Sequence, residues 1–506
     1  MVRLVLIIVA MLLAAPAARA DEPTREELRK LERQLVAANA NSGPAIACVV
    51  VSRSDKYPRP ERTPEPGQLG GFDREAFLKA TPSALKLANQ LDLSRPETIP
   101  DHGFAGGLVI DAAGLVLVNY STIDGAAKVF VHLPGTKGSY ANIHAADARS
   151  DLAVLKLLAP PEGLKPIRFG RVRLPDFPND PNATAAPGKL GLVMAYPYAS
   201  GAVMDRPNGG LGRIASIRTP EPKDSSELFR SIYNYAPVFE VDSTFHPGVG
   251  GAVFLNLDGE AIGLTTATAA IPSDAGRAFA MPIDDNLLRI IEVLGRGEEV
   301  EYGFLGVTRP EPFRRGRGRG LHLDRGPLRN SPAFTAGLRA DDLITRINDH
   351  PVNSFEDLLL QIGSGLAGRK LKLRFERDGR PHQTEVQLAK FRNQMPYIAS
   401  VRPAPIFGLR VDYSSVMAQA LFNPFGGRIV IEIPRGVHVR ELVPNSPAAA
   451  KFKALGDNDR WVISQVNGVS VLTPTAFYKE ARGAKSLKLT VTDPTEPGVV
   501  RTVVLP

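Results

Sequence analysis

From Phe104 to about Ala280 the sequence alternates short apolar runs with glycine and aspartate turns, starting "FAGGLVIDAAGLVLVNY". Runs this short and this regularly punctuated cannot build long helices. They predict antiparallel strands closed into a sandwich or barrel. The 43 prolines and 46 glycines act in the same direction, and 506 residues exceed what one core can organise, so about three domains are expected. "AIACVVVSR" supplies a further strand upstream, and "MPIDDNLLRIIEVLG" a closing helix. Between that first strand and Phe104, "DKYPRPERTPEPGQLGG" is too rich in proline for helix or sheet, so residues 55 to about 101 are expected to be an insertion.

The first twenty residues have the form of a secretory leader: Arg3, the apolar "LVLIIVAMLLAA", and a small-x-small site at Ala18-Arg19-Ala20. An apolar run of about a dozen residues is short for a membrane span. The expectation is an exported protein, periplasmic or extracellular, with no transmembrane segment once the leader (1–20) is removed. Thr24 and Glu27 form a capping box ahead of Leu28, Leu31 and Leu35, predicting a helix over 21–41 that packs on the body or on another copy of the chain. A homo-oligomer is a possible outcome. The lone Cys48 rules out an intrachain disulfide and reads as a buried strand residue.

A formal charge of +8 spread over the whole chain says little about partners. The one concentrated run, "FRRGRGRG" (Phe313–Gly320), reads as a solvated loop, with an anionic envelope polymer as its alternative partner. It has no aromatic stacking platform, and nucleic acid is not expected as a partner. The histidines (His102, His132, His144, His246, His322, His350, His382 and His438) show no metal-ligand spacing, and there is no P-loop. No metal and no cofactor are expected.

The last third repeats itself. Asn330 to Val352 matches Asn445 to Val471, with Asn-Ser-Pro-Ala in both and Ile344, Ile347, Asn348 and Val352 returning as Ile463, Val466, Asn467 and Val471. Two copies are too few for a solenoid, so tandem globular modules are expected.

With these segments in view, the chain resembles HtrA/Deg-type, trypsin-like serine proteases carrying two PDZ domains. The resemblance runs from about Gly103 to the C-terminus. It implies a mainly β fold: a chymotrypsin/trypsin-like double β-barrel (42–298) followed by two PDZ-like α+β domains (302–391 and 406–506) joined by a linker (392–405). Where the family has a segment like "ILTNNHVVDGA" with the general base, this chain has "LVLVNYSTIDGA", and Ser121 stands at the histidine position. The triad aspartate is kept as Asp151 in "DARSDLAVLKL". The nucleophile turn, like "INPGNSGGPL", is here "FHPGVGGAVF", with Gly250 at the serine position. Flanking matches at "GRIASIR", "GEAIGLTTA" and "RAFAMPID" keep this alignment from sliding.

The chemistry of those two changes is direct. Acyl transfer needs an oxygen nucleophile and a base that takes its proton. Glycine has nothing to attack with, and a serine hydroxyl is no base near neutral pH. Loss of the nucleophile or the base costs about a million-fold in a comparable triad. The expectation is a pseudoprotease with no intact catalytic set at Ser121, Asp151 and Gly250. A weak or unconventional endopeptidase is the alternative, and a relocated pair would have to draw on Ser243, Thr244 and His246. The amides of Gly248 and Gly250 could keep an oxyanion-hole-like dimple, though a tight turn accounts for these glycines equally.

The family's carboxylate-binding loop, like "YLGV", appears as Phe304-Leu305-Gly306-Val307, and more loosely as Phe407-Gly408-Leu409. The resemblance implies that these residues take peptides or unfolded chains by β-augmentation, through hydrophobic C-terminal residues.

Overall fold

The computed structural model describes residues 25–52, 104–174, 180, 183–196, 206–219, 230–243, 251–266, 277–307, 320–363, 365–420, 422–423, 427–428, 432–456, 461–493 and 498–506. The leader, Thr24, the expected insertion and the arginines of the Arg/Gly run lie outside these residues.

Helix α1 (Arg25–Ser42) leads into β1 (Ile46–Ser52), β2 (Phe104–Asp111), β3 (Leu115–Asn119), the single turn α2 (Tyr120–Ile123), β4 (Lys128–His132), β5 (Ser139–Asp147) and β6 (Leu152–Leu157). These strands join in the order β5-β4-β1-β2-β3-β6, and β6 pairs back onto β5 to close a barrel. A second closed barrel follows, β10-β11-β12-β9-β8-β7, from β7 (Leu190–Ala195), β8 (Asn208–Arg218), β9 (Val238–Ser243), β10 (Val253–Leu255), β11 (Ala261–Thr265) and β12 (Arg277–Pro282).

Strand β1 explains why the barrels sit together. All seven of its residues are buried, because its period-2 alternation feeds two different cores. Ala47, Val49 and Val51 fill the first barrel with Val116, Val131 and Leu155. Ile46, Cys48 and Val50 face the other way and join Leu192, Met194, Val253 and Leu264 of the second barrel. Each such aliphatic side chain contributes roughly 1.5–3 kcal/mol by burial, so a charge at Val49 would break the barrel and one at Val50 the joint between barrels. Helix α3 (Asp285–Gly295) seals that joint with Leu287, Ile290, Ile291 and Leu294. Its N-cap, Asp284, accepts hydrogen bonds from the amides of Asn286 and Leu287. Only the last turns of α1 touch the body: Ala38 is buried in the shared core, whereas Leu28 is 54% and Val36 64% exposed.

The first C-terminal module holds β13 (Gly303–Phe304), β14 (Leu321–His322), α4 (Pro332–Thr335), β15 (Leu343–Ile347), β16 (His350–Pro351), α5 (Phe355–Gly363), β17 (Lys370–Arg377), β18 (Arg380–Gln387) and β19 (Ala389–Lys390). After β20 (Tyr397–Ala399) the second holds β21 (Leu409–Tyr413), α6 (Ser414–Ala420), β22 (Phe422–Asn423), β23 (Gly427–Arg428), β24 (Val437–Leu442), α7 (Pro447–Lys453), β25 (Val462–Val466), β26 (Val469–Ser470), α8 (Pro474–Ala481), β27 (Leu487–Thr492) and β28 (Val500–Leu505).

The sequence repeat is a repeat of geometry. Ser331 and Ser446 cap α4 and α7, accepting from the amides of Phe334 and Ala449 at 3.2 Å in both modules. Asn348 and Asn467 share a left-handed backbone, and their side chains accept from Lys372 N and Lys488 N. That requirement explains why asparagine recurs, since it tolerates positive φ and can bond locally.

Residues 392–405, read from the sequence as a linker, contain a strand. Tyr397–Ala399 form β20, which adds to β5 of the first barrel opposite Ala145, Ala146 and Asp147. Strand β4 pairs with β5 only at Ser139 and Tyr140, which leaves that stretch of β5 edge for β20.

Candidate functional site

Asp151 turns out of β5 into β6 with a left-handed backbone, φ 52°. Its side chain is buried beneath α2, where three donors meet it. Ser121 N donates to Oδ1 at 2.8 Å. Asn119 Nδ2 and Thr266 Oγ1 donate to Oδ2 at 3.1 and 2.9 Å. A carboxylate has about four lone-pair sites, and both of those on Oδ2 are in use. Burial raises its pKa above the ordinary aspartate value, and the hydrogen bonds to it oppose that shift.

Ser121 therefore stands beside Asp151, where the alignment sets the histidine position. The exposed Ser121 hydroxyl offers a weak donor and acceptor but no base. Asn119 and Thr266 had no role in the sequence reading. Their one signal is that each is a polar residue ending an otherwise apolar run, "LVLVN" and "IGLTT".

Gly248, Gly250, Thr244 and His246 lie outside the described residues. Ser243, at the end of β9, has a hydroxyl with no partner among the described residues. Gly251 has φ 76° and packs against Gly106 of β2 so closely that a Cβ on either would overlap the other's carbonyl oxygen. The turn is thereby anchored to the first barrel. A serine–histidine pair does occur elsewhere, Ser400 Oγ to His144 Nδ1 at 2.9 Å, on the outer face where β20 joins β5. Among the described residues no carboxylate bonds that imidazole.

The loop carrying Asp151 also reaches the first module. Arg149 is 2% exposed and lies between the rings of Tyr302 and Phe391, 4.4 and 4.5 Å from their centroids. It donates to Tyr235 Oη at 3.0 Å. Asp147 accepts from Tyr302 Oη and Asn393 Nδ2.

In the first peptide loop, Leu305 is 1% exposed and belongs to the module core. Phe304 and Val307 are half-buried. Gly306 has φ 87° and lies against Ser331. The carbonyls of Leu305 and Gly306 accept from Ala333 and Leu328, whereas the amides of Leu305, Gly306 and Val307 have no acceptor among the described residues. Three successive free amides around a glycine make an anion-binding nest.

The second loop departs from that arrangement. Phe407 as well as Gly408 has positive φ, 52° and 86°, and Leu409, wholly buried, exchanges both backbone hydrogen bonds with Ile406 at 2.9 and 3.0 Å. The expected carboxylate cradle at Phe407-Gly408-Leu409 has folded onto itself as a two-residue turn.

Comparisons with known proteins agree with this architecture. The trypsin-like peptidase domain matches residues 105–264 and the PDZ domain residues 326–388. The probable periplasmic serine protease do/HhoA-like of Haemophilus influenzae is 27% identical over 72% of this chain and 78% of its own length. The periplasmic pH-dependent serine endoprotease DegQ of Escherichia coli K12 is 27% identical over 71% and 72%. Among solved structures, the HtrA-type protease AlgW with decapeptide covers 73% of this chain and 99% of its own, at 19% identity and a TM-score of 0.45. Paired six-stranded barrels leading into a PDZ module, matched in that order by both domain families, make the chain similar to HtrA-type proteases in fold and domain order.

Proposed function

We propose that this protein is an exported HtrA-type pseudoprotease. It binds peptides or unfolded chains without cutting them, through its first PDZ module and the degenerate cleft, as an adaptor or holdase in envelope protein quality control. The observation that carries the reading is that Ser121, which has no basic side chain, stands beside the buried Asp151 at the position the alignment gives to the general base, its amide 2.8 Å from Oδ1. Glycine at position 250 removes the nucleophile independently. The amides of Leu305, Gly306 and Val307, which have no acceptor among the described residues, support capture of a terminal carboxylate. The relatives' periplasmic names support placement in the periplasm.

A second reading, a weak endopeptidase, is favoured by the relatives' names as proteases. The purified chain, freed of its leader, separates the two when treated with a fluorophosphonate probe and a fluorogenic unfolded protein. The pseudoprotease reading expects no labelled residue and no turnover. Turnover that persists through purification and disappears on Ser243→Ala or His246→Ala would establish the enzyme instead. The envelope-polymer alternative for the Arg/Gly run predicts binding that is lost when Arg314–Arg319 is deleted, with peptide capture intact.

A further inference from the structure

We infer that the second C-terminal module is closed to peptides by the chain itself, so that one protein molecule takes one peptide terminus, on its first module. This rests on the peptide-binding reading above and goes on to assign valency.

Strand β21 is the terminal strand of its sheet, with β24 on one side and a free edge on the other. A ligand strand added there would need the outward amides and carbonyls of Leu409 and Val411, the first residues after the loop. None of the first three such groups is available. Leu409 faces Leu442 in the ladder, yet its N–H donates to Ile406 O and its C=O accepts from Ile406 N. Both groups therefore point to the free edge and are used there. Val411, two residues on, has the same orientation by strand alternation, and its N–H is directed at Tyr478 Oη, 3.5 Å away. Tyr478 belongs to α8, the helix flanking that edge, and its ring is braced edge-on by Phe477 at 5.4 Å.

The cause is local. With positive φ at both Phe407 and Gly408, the loop takes the primed two-residue turn that closes hairpins. In the first module only Gly306 of the corresponding pair has positive φ, Leu305 does not, and the amides from Leu305 to Val307 have no acceptor among the described residues. One residue's backbone sign thus separates a cradle from a closed turn.

The test is amide hydrogen exchange on the full chain without its leader, with and without a synthetic heptapeptide ending in a free Val carboxylate, paired with calorimetric stoichiometry. At peptide near a hundred times Kd, exchange at Leu305, Gly306 and Val307 should slow about a hundredfold, with no change at Leu409 or Val411 and one peptide bound per chain. Phe407→Val with Tyr478→Ala should open the second groove and bring the count to two, because a β-branched residue resists positive φ. Peptide-dependent protection at Leu409 and Val411 of the unmodified chain would overturn the inference and leave the peptide-binding reading standing. A folded double variant that still binds one peptide would also overturn it. Absence of peptide protection at both modules would defeat the underlying reading together with this one.

Discussion

Lys390 Nζ lies 2.9 Å from Asp412 Oδ2, an ion pair between the last strand of the first module and β21 of the second, with both side chains under 10% exposed. The same ammonium meets Glu299 and Glu301 at 2.8 and 3.1 Å, and Arg440 adds contacts to Glu299 and Asp412 at 2.7 and 3.2 Å. The chain leaving the second barrel, the first module and the second module are thus tied at one buried cluster. Removing one member of a buried pair leaves an uncompensated charge, at a typical cost of about 3–5 kcal/mol. Lys390→Ala should therefore destabilise by about that amount and split thermal unfolding, with the C-terminal module released first. Scanning calorimetry showing one unchanged transition would contradict this.

Acid should act on this protein in an unusual direction. Burial raises the carboxyls of Asp147, Asp151, Asp284 and Asp412 above the aspartate value, and that of Glu301 above the glutamate value. A group whose folded pKa is raised holds its proton more tightly when folded. Its contribution is fully present below the unfolded pKa and is lost as pH rises through the folded one. Glu299 runs oppositely: burial raises it, but Lys390 and Arg440 together bring it below the glutamate value, so its contribution is lost as pH falls through that lower pKa. Lowering pH from neutrality through the raised carboxyl pKa values should raise the melting temperature, and a fall should follow once pH drops through the lowered pKa of Glu299. A steady decline from pH 7 downward would show the sign to be wrong.

Gly106 and Gly251 should be intolerant of any side chain. Overlap at a backbone–backbone contact, with φ 76° at Gly251, predicts a loss on the order of 3 kcal/mol for Gly251→Ala. Gly125→Ala is the control: φ is 66° but nothing lies within 4 Å of the added Cβ. It should cost about 1 kcal/mol. Urea titrations giving equal losses at both positions would rule out the close approach as the cause.

Restoring the triad needs both lesions repaired. Ser121→His alone and Gly250→Ser alone should each remain about a million-fold short of a working triad. Ser121→His with Gly250→Ser should give the first measurable turnover and fluorophosphonate labelling at position 250. Because Asn119 and Thr266 both donate to Asp151 Oδ2, adding Thr266→Ala to the double variant should free a lone pair there for the new imidazole and raise its rate. A single variant with turnover equal to the double would undo the argument.

The architecture was legible in the sequence because it depends on short-range patterns. Strand rhythm from Phe104 onward gave an antiparallel sandwich or barrel, which the resemblance made two barrels, and the repeated Asn-Ser-Pro-Ala gave two tandem modules. Both patterns are properties of neighbouring residues, set by period-2 alternation and by side chains that bond their own backbone. The substitutions at Ser121 and Gly250 were equally visible, since they are matters of residue identity.

What the sequence left open was which distant groups meet. Thr266 reaches Asp151 across 115 positions, and Tyr478 reaches Val411 across 67. No local pattern encodes such partners, because they follow from barrel closure and from a helix laid over a strand edge. The proline-bearing stretch 392–405 read as a linker for the same reason: an added strand exists only once β5 presents an unpaired edge. Residue identity fixed what chemistry the centre lacks. Tertiary pairing decided what hydrogen-bonds Asp151 in its place, and which of two similar loops folds onto itself.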